Sequence, residues 1–203
     1  MDVQALYDNG DYQAVIKQLK KAEPRPLLAF AYQKNKQWEE AMEIWTMLIA
    51  KYPDAAEYYV ERGVCKFNLR FKHAIQDFNQ AIEMEPTNAY FYSCRAYVKD
   101  KTGDTEGSVE DYTKALELDP DDAITLNNLG LAEQKLGHTG RARQRFKNSD
   151  DLMGIKTIDS RDPDDYEELK PTPKPSVKPS IWSEFKKMWT KDGFKAFWKE
   201  LRG

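Results

Sequence analysis

The stretch "ERGVCKFNLRFKHAIQDFNQAIEMEP" (61–86) carries two apolar helical patterns joined by a short turn and closed by a proline. Gly63 lies inside the first pattern, Ala74 opens the second, Phe78 follows it and Pro86 ends the unit. Proline stops the second helix because its ring clashes with the preceding turn and it offers no N–H. One hairpin of this size cannot bury its own apolar face, so it needs stacked copies of itself.

The copies are present on both sides. "LLAFAYQKNKQWEEAMEIW", "CRAYVKDKTGDTEGSVEDY" and "NLGLAEQKLGHTGRARQRF" fit the same template. Small residues recur at Ala29, Gly63, Ala96 and Gly130, separated by 34, 33 and 34. A second small column runs Ala41, Ala74, Ser108 and Ala142, separated by 33, 34 and 34. Aromatics follow at Trp45, Phe78, Tyr112 and Phe146, and prolines close three units at Pro53, Pro86 and Pro120. Gly63 to Ala74 spans 11 residues where the other three intervals span 12, so one residue is missing, expectedly from the turn near Leu69-Arg70.

These columns resemble the tetratricopeptide repeat, most strongly in "AIQDFNQAIEMEP" and "DYTKALELDP". The resemblance covers residues 22–153 in four repeats and implies an all-α, right-handed superhelix of helix A–turn–helix B units. Glycine or alanine in helix A lets helix B approach, and the aromatic is expected to fill the space towards the next repeat. The first repeat departs from the pattern with Pro24 and Pro26 at the start of helix A. The fourth departs with Asn148-Ser149-Asp150 where helix B should stay apolar. Residues 1–21 read as a shortened helical hairpin capping the N-terminus.

Beyond the repeats the pattern breaks. Residues 154–180 form an acidic, proline-rich linker: 159–168 hold six carboxylates against Arg161, and Pro171, Pro173, Pro175 and Pro179 favour extended chain. Residues 181–203 resume helical spacing, and a break at Asp192-Gly193 predicts two short amphipathic helices. Trp182, Phe185, Trp189, Phe194, Phe197 and Trp198 supply their apolar faces. Six basic residues against Glu184, Asp192 and Glu200 give this tail +3. Six such rings are too much apolar area to leave in water, so the tail is expected to dock.

Composition excludes several classes. Net charge is −3, so no basic field speaks for nucleic acid. The apolar run "LLAFAY" (27–32) is far short of the ~20 residues that span a bilayer. Met1-Asp2 opens without a basic or apolar leader pattern, so a cytoplasmic location is expected, with membrane association through the tail as an alternative. Cys65 and Cys94 lack metal-ligand spacing and read as buried apolar residues. His73 and His138 fall in different repeats, and Gly103 and Gly137 belong to turns. No catalytic constellation, cofactor or metal site is expected.

The resemblance implies that helix A of each repeat lines the inner, partner-binding groove. One helical face carries that role to Phe30 and Gln33, then Val60, Val64 and Phe67, then Tyr90, Ser93, Tyr97 and Asp100, and finally Asn127, Leu131 and Gln134. The family's clamp for a C-terminal carboxylate needs Lys and Asn in these columns. Only Lys101, Asn127 and Asn128 are of that type, so an apolar or aromatic ligand, a peptide or amphipathic helix, is expected instead. The competing assignment gives these aromatics to helix–helix packing. Three functional readings follow: a non-enzymatic scaffold or adaptor with the tail as second docking element, a peripheral membrane adaptor held by the tail, and a self-docking tail that caps or occludes the groove.

Overall fold

The computed structural model describes residues 2–154, which fold into ten helices. α1 (Val3–Asp8) and α2 (Tyr12–Leu19) form the N-terminal hairpin. Four further hairpins follow: α3 (Pro26–Lys34) with α4 (Trp38–Lys51), α5 (Ala56–Asn68) with α6 (Ala74–Met84), α7 (Ala89–Lys101) with α8 (Thr105–Leu118), and α9 (Ala123–Lys135) with α10 (Thr139–Met153). No strand occurs among the described residues. Each helix packs on its chain neighbours, and α5 also touches α7, as α7 touches α9, which builds a layer of A helices. The fold is the expected all-α superhelix of repeats.

Pro26 starts α3 rather than breaking it. It occupies the first helical turn, where a backbone N–H has no intrahelical acceptor to lose. Aspartates cap several other helices: Asp11 accepts from the Ala14 N–H at 3.1 Å, Asp104 from Gly107 at 3.0 Å, and Asp122 from Ile124 at 3.1 Å.

All five hairpins use one turn. A left-handed residue (Gly10, Lys36, Arg70, Gly103 or Gly137) follows the first helix. The next residue's N–H then reaches back to the helix, as in Gln37 to the Tyr32 carbonyl, Phe71 to Lys66 and Asp104 to Lys99, each at 2.9 Å. This is the Schellman closure of a helix C-terminus.

The left-handed residue lies seven positions after the small column in every repeat: Ala29 to Lys36, Gly63 to Arg70, Ala96 to Gly103 and Gly130 to Gly137. The turn of the second repeat therefore lacks nothing. Its missing residue falls after Arg70, and the loss is taken from the first turn of α6, which has 11 residues where α4, α8 and α10 have 14, 14 and 15. The Schellman turn holds a fixed geometry, whereas a helix start can slide.

The aromatic column packs first within its own repeat. A Cβ added to Gly63 would stand 2.9 Å from the Phe78 ring, and one at Gly130 only 2.6 Å from Phe146. Trp45 does both jobs: it is fully buried, meets Phe30 of its own repeat at 4.9 Å between ring centroids, and meets Tyr58 of the next at 5.5 Å. The end of α10 stays helical through Asn148-Ser149-Asp150 because Ser149 is buried and its hydroxyl donates to the Ala123 carbonyl at 2.8 Å.

Candidate interaction surface

A pair of ion clamps locks helix A to helix B in the second and third repeats. Arg62 donates from Nε and Nη2 to both oxygens of Asp77 at 2.9 and 2.8 Å, while Lys66 reaches the same carboxylate at 2.9 Å. Arg95 repeats the arrangement on Asp111 at 2.7 and 2.6 Å, with Lys99 at 2.9 Å. Bidentate geometry suits the planar guanidinium, and each carboxylate raises its arginine's pKa further. The arginines lie over Tyr59 and Tyr92, whose hydroxyls donate to the carbonyls of Pro53 and Pro86 at 3.2 and 3.1 Å. The clamps' signal in the sequence was the recurrence of Tyr-x-x-Arg-x-x-x-Lys at 59–66 and 92–99.

With helix A so fixed, the face expected to line the groove splits into buried and accessible positions. Val60 is fully buried in a cluster with Phe78, Phe91 and Val98, and so belongs to the core rather than to a surface. Ser93 is buried too, its hydroxyl donating to the Tyr90 carbonyl at 3.0 Å. Asn127 is buried and its amide donates to Asn128 at 3.2 Å. Asp100 is buried, accepts from Thr105 at 3.0 Å and pairs with Lys135. Val64, Phe67, Tyr90 and Tyr97 pack on the core cluster while keeping part of their surface exposed. Phe67 and Tyr97 meet edge-on at 6.1 Å between centroids, and the Lys101 ammonium lies 5.6 Å from the Tyr97 ring. Phe30, Leu131 and Gln134 are also partly exposed. The tail residues Trp182, Phe185, Trp189, Phe194, Phe197 and Trp198 lie outside the described residues.

Glu61 lies beside this face and was not among the residues selected for it, whereas Gln33 was selected as a surface position. Gln33 is buried, and its side-chain amide donates to the Glu61 carboxylate at 3.0 Å and contacts Cys65 Sγ at 3.4 Å. Burial raises Glu61 to about 7, against the lowering effects of the Gln33 bond and of Lys34. Burial likewise pushes the Cys65 thiol to about 12 and Tyr7 to about 12, and raises Cys94 and Tyr90 well above their ordinary values, with Glu61 adding to each. Neither thiol is a thiolate near neutrality. The signal was in the columns: Glu61 aligns with Leu27, Cys94 and Asn128, which are 8%, 6% and 2% exposed.

Two family models match the chain: a tetratricopeptide repeat over residues 27–55 and a TPR repeat over 100–137. The chain carries tetratricopeptide repeats over these residues. Tetratricopeptide repeats serve in general as protein-interaction scaffolds, and neither match is to an enzyme family. Solved structures with the same fold include a crystal structure of MamA, with 23% identity over 77% of this chain and 97% of that one, at a TM-score of 0.63. MamA 41-end from Desulfovibrio magneticus RS-1 shares 16% identity over 76% of this chain and 92% of that one, at 0.65. At such identities the likeness extends to the fold alone. No curated protein matches the chain. Among the described residues, no helix is long and apolar enough to cross a membrane.

Proposed function

We propose that the tetratricopeptide solenoid is an adaptor that binds an apolar or aromatic segment of a protein partner, a peptide or an amphipathic helix, on the inner face of α5 and α7. The observation that carries this reading is the Phe67–Tyr97 pair, two rings from successive A helices set edge-on and left partly exposed beside Val64 and Tyr90. Clustered, half-exposed aromatics backed by a rigid core are where binding free energy concentrates. Residues 181–203, with their aromatic and basic composition, act in this reading as a second docking element.

The experiment is site-specific photo-crosslinking in the full chain. A photoreactive residue replaces Phe67 on the inner face or Met47, a 51% exposed apolar residue on α4. Crosslinking of one defined partner from position 67 and none from 47 supports the reading, and the reverse pattern removes it. The tail is tested by the fluorescence of Trp182, Trp189 and Trp198 with Trp38 and Trp45 replaced by Phe. A blue shift on adding a partner protein supports protein docking, and a blue shift in the pure monomer means docking in cis. A shift seen only with anionic vesicles, and lost in high salt, assigns the tail to a membrane instead.

A further inference from the structure

We infer that Glu61 is an anchor for a cation, so that the partner segment bound on the inner face carries a lysine or arginine set among its apolar residues. The inference rests on the inner face being the binding surface and goes beyond it by naming the chemistry of the occupant.

Glu61 differs from the buried carboxylates in its partners. Asp77, Asp100, Asp111 and Glu133 are all buried, and each pairs with cations of this chain: Arg62 and Lys66, Lys135, Arg95 and Lys99, and Arg141 with Arg145. Burying a carboxylate is costly unless charge and hydrogen bonds compensate it; all four have cations of this chain beside them, Glu133 by charge alone, since its Oε2 accepts no hydrogen bond. Among the described residues Glu61 receives a neutral amide from Gln33 and no lysine or arginine within bridging distance. Its column neighbours in the other repeats, Leu27, Cys94 and Asn128, carry no charge.

The surroundings fit a basic guest. Glu61 keeps part of its surface exposed, so a ligand has access to it. Val64 lies one turn further along α5, and Tyr90 lies close enough to feel the Glu61 charge. Apolar surface of that kind holds the methylenes of a lysine or arginine while the charged end reaches the carboxylate. The elevated pKa of Glu61 agrees: the site disfavours its own charge until a cation arrives. A free acidic or carboxylate-terminated peptide would meet repulsion here.

The test is peptide display. Random fifteen-residue peptides are selected against the full chain and, in parallel, against Glu61→Lys. Peptides enriched on the wild-type chain should hold a Lys or Arg between apolar residues, and those enriched on Glu61→Lys should hold Asp or Glu at that place. Replacing that lysine or arginine by norleucine in one selected peptide should weaken binding to the unmodified protein at least tenfold. The same replacement should have little effect on binding to Glu61→Gln. Peptides that lose affinity for Phe67→Ala/Tyr97→Ala yet show no basic preference overturn the anchor and leave the binding face standing. Failure to enrich peptides, or binding indifferent to the Phe67/Tyr97 replacements, overturns both.

Discussion

The Gln33 side-chain amide donates to the Glu61 carboxylate across 3.0 Å, joining helix A of the first repeat to helix A of the second with a neutral partner for an acid. That choice has a consequence for stability. Glu61 is raised from an ordinary 4.5 to about 7, chiefly by burial. Stability owed to its neutral form is fully present below about pH 4.5 and is lost as the pH rises through 7. Glu61→Gln removes that loss. Urea unfolding should find the variant more stable than the parent at pH 8 by on the order of 1–3 kcal/mol and no different at pH 4. An equal difference at both values assigns the effect to packing instead.

Close packing of glycine on the aromatic column makes a second prediction. A methyl at Gly130 would stand 2.6 Å from Phe146, and one at Gly63 would stand 2.9 Å from Phe78. Overpacking of this kind costs about 1–3 kcal/mol. Gly130→Ala should lower the melting temperature more than Gly63→Ala, measured by circular dichroism. The opposite order would mean that the Phe146 ring, midway along α10, yields more easily than its contacts suggest.

Lys36 and Arg70 hold the left-handed turn position, each at a φ of 60°, where the other hairpins use glycine. A side chain there costs roughly 1–2 kcal/mol relative to glycine. Lys36→Gly and Arg70→Gly should each stabilise the protein by about 0.5–1 kcal/mol after glycine's larger unfolded-state entropy is subtracted. Thermal unfolding checks both, and Gly103→Ala, at a φ of 97°, should move the opposite way.

Much of the architecture was legible because it rests on columns. Gly63 with Phe78 and Gly130 with Phe146 are contacts between residues that alignment alone brings into register. The position of the missing residue was legible in principle, since Arg70 sits seven residues after Gly63 like its counterparts, but only knowledge of the turn shows that the count matters. The helix faces were less legible. Each A helix packs on two sides, so the spacing that selects Val64 and Phe67 also selects Val60, which is core. Ser93 and Asn127 are buried for the same reason. The Arg62–Asp77 and Arg95–Asp111 clamps join residues 15 and 16 apart on different helices, a relation that no single-helix periodicity reports. Glu61 stood one position beside the chosen face, and comparison with Leu27, Cys94 and Asn128 was the one route to it.

The central claim is that partner binding falls on the inner aromatic pair, and calorimetric affinity tests it most directly. The partner segment identified by crosslinking is titrated into the full chain and into Phe67→Ala/Tyr97→Ala, with helicity followed by circular dichroism. Binding weakened by more than about 2 kcal/mol, some thirtyfold, with helicity retained, is the predicted result. Unchanged affinity in a folded double variant, or collapse of helicity showing that the rings are core, would contradict it.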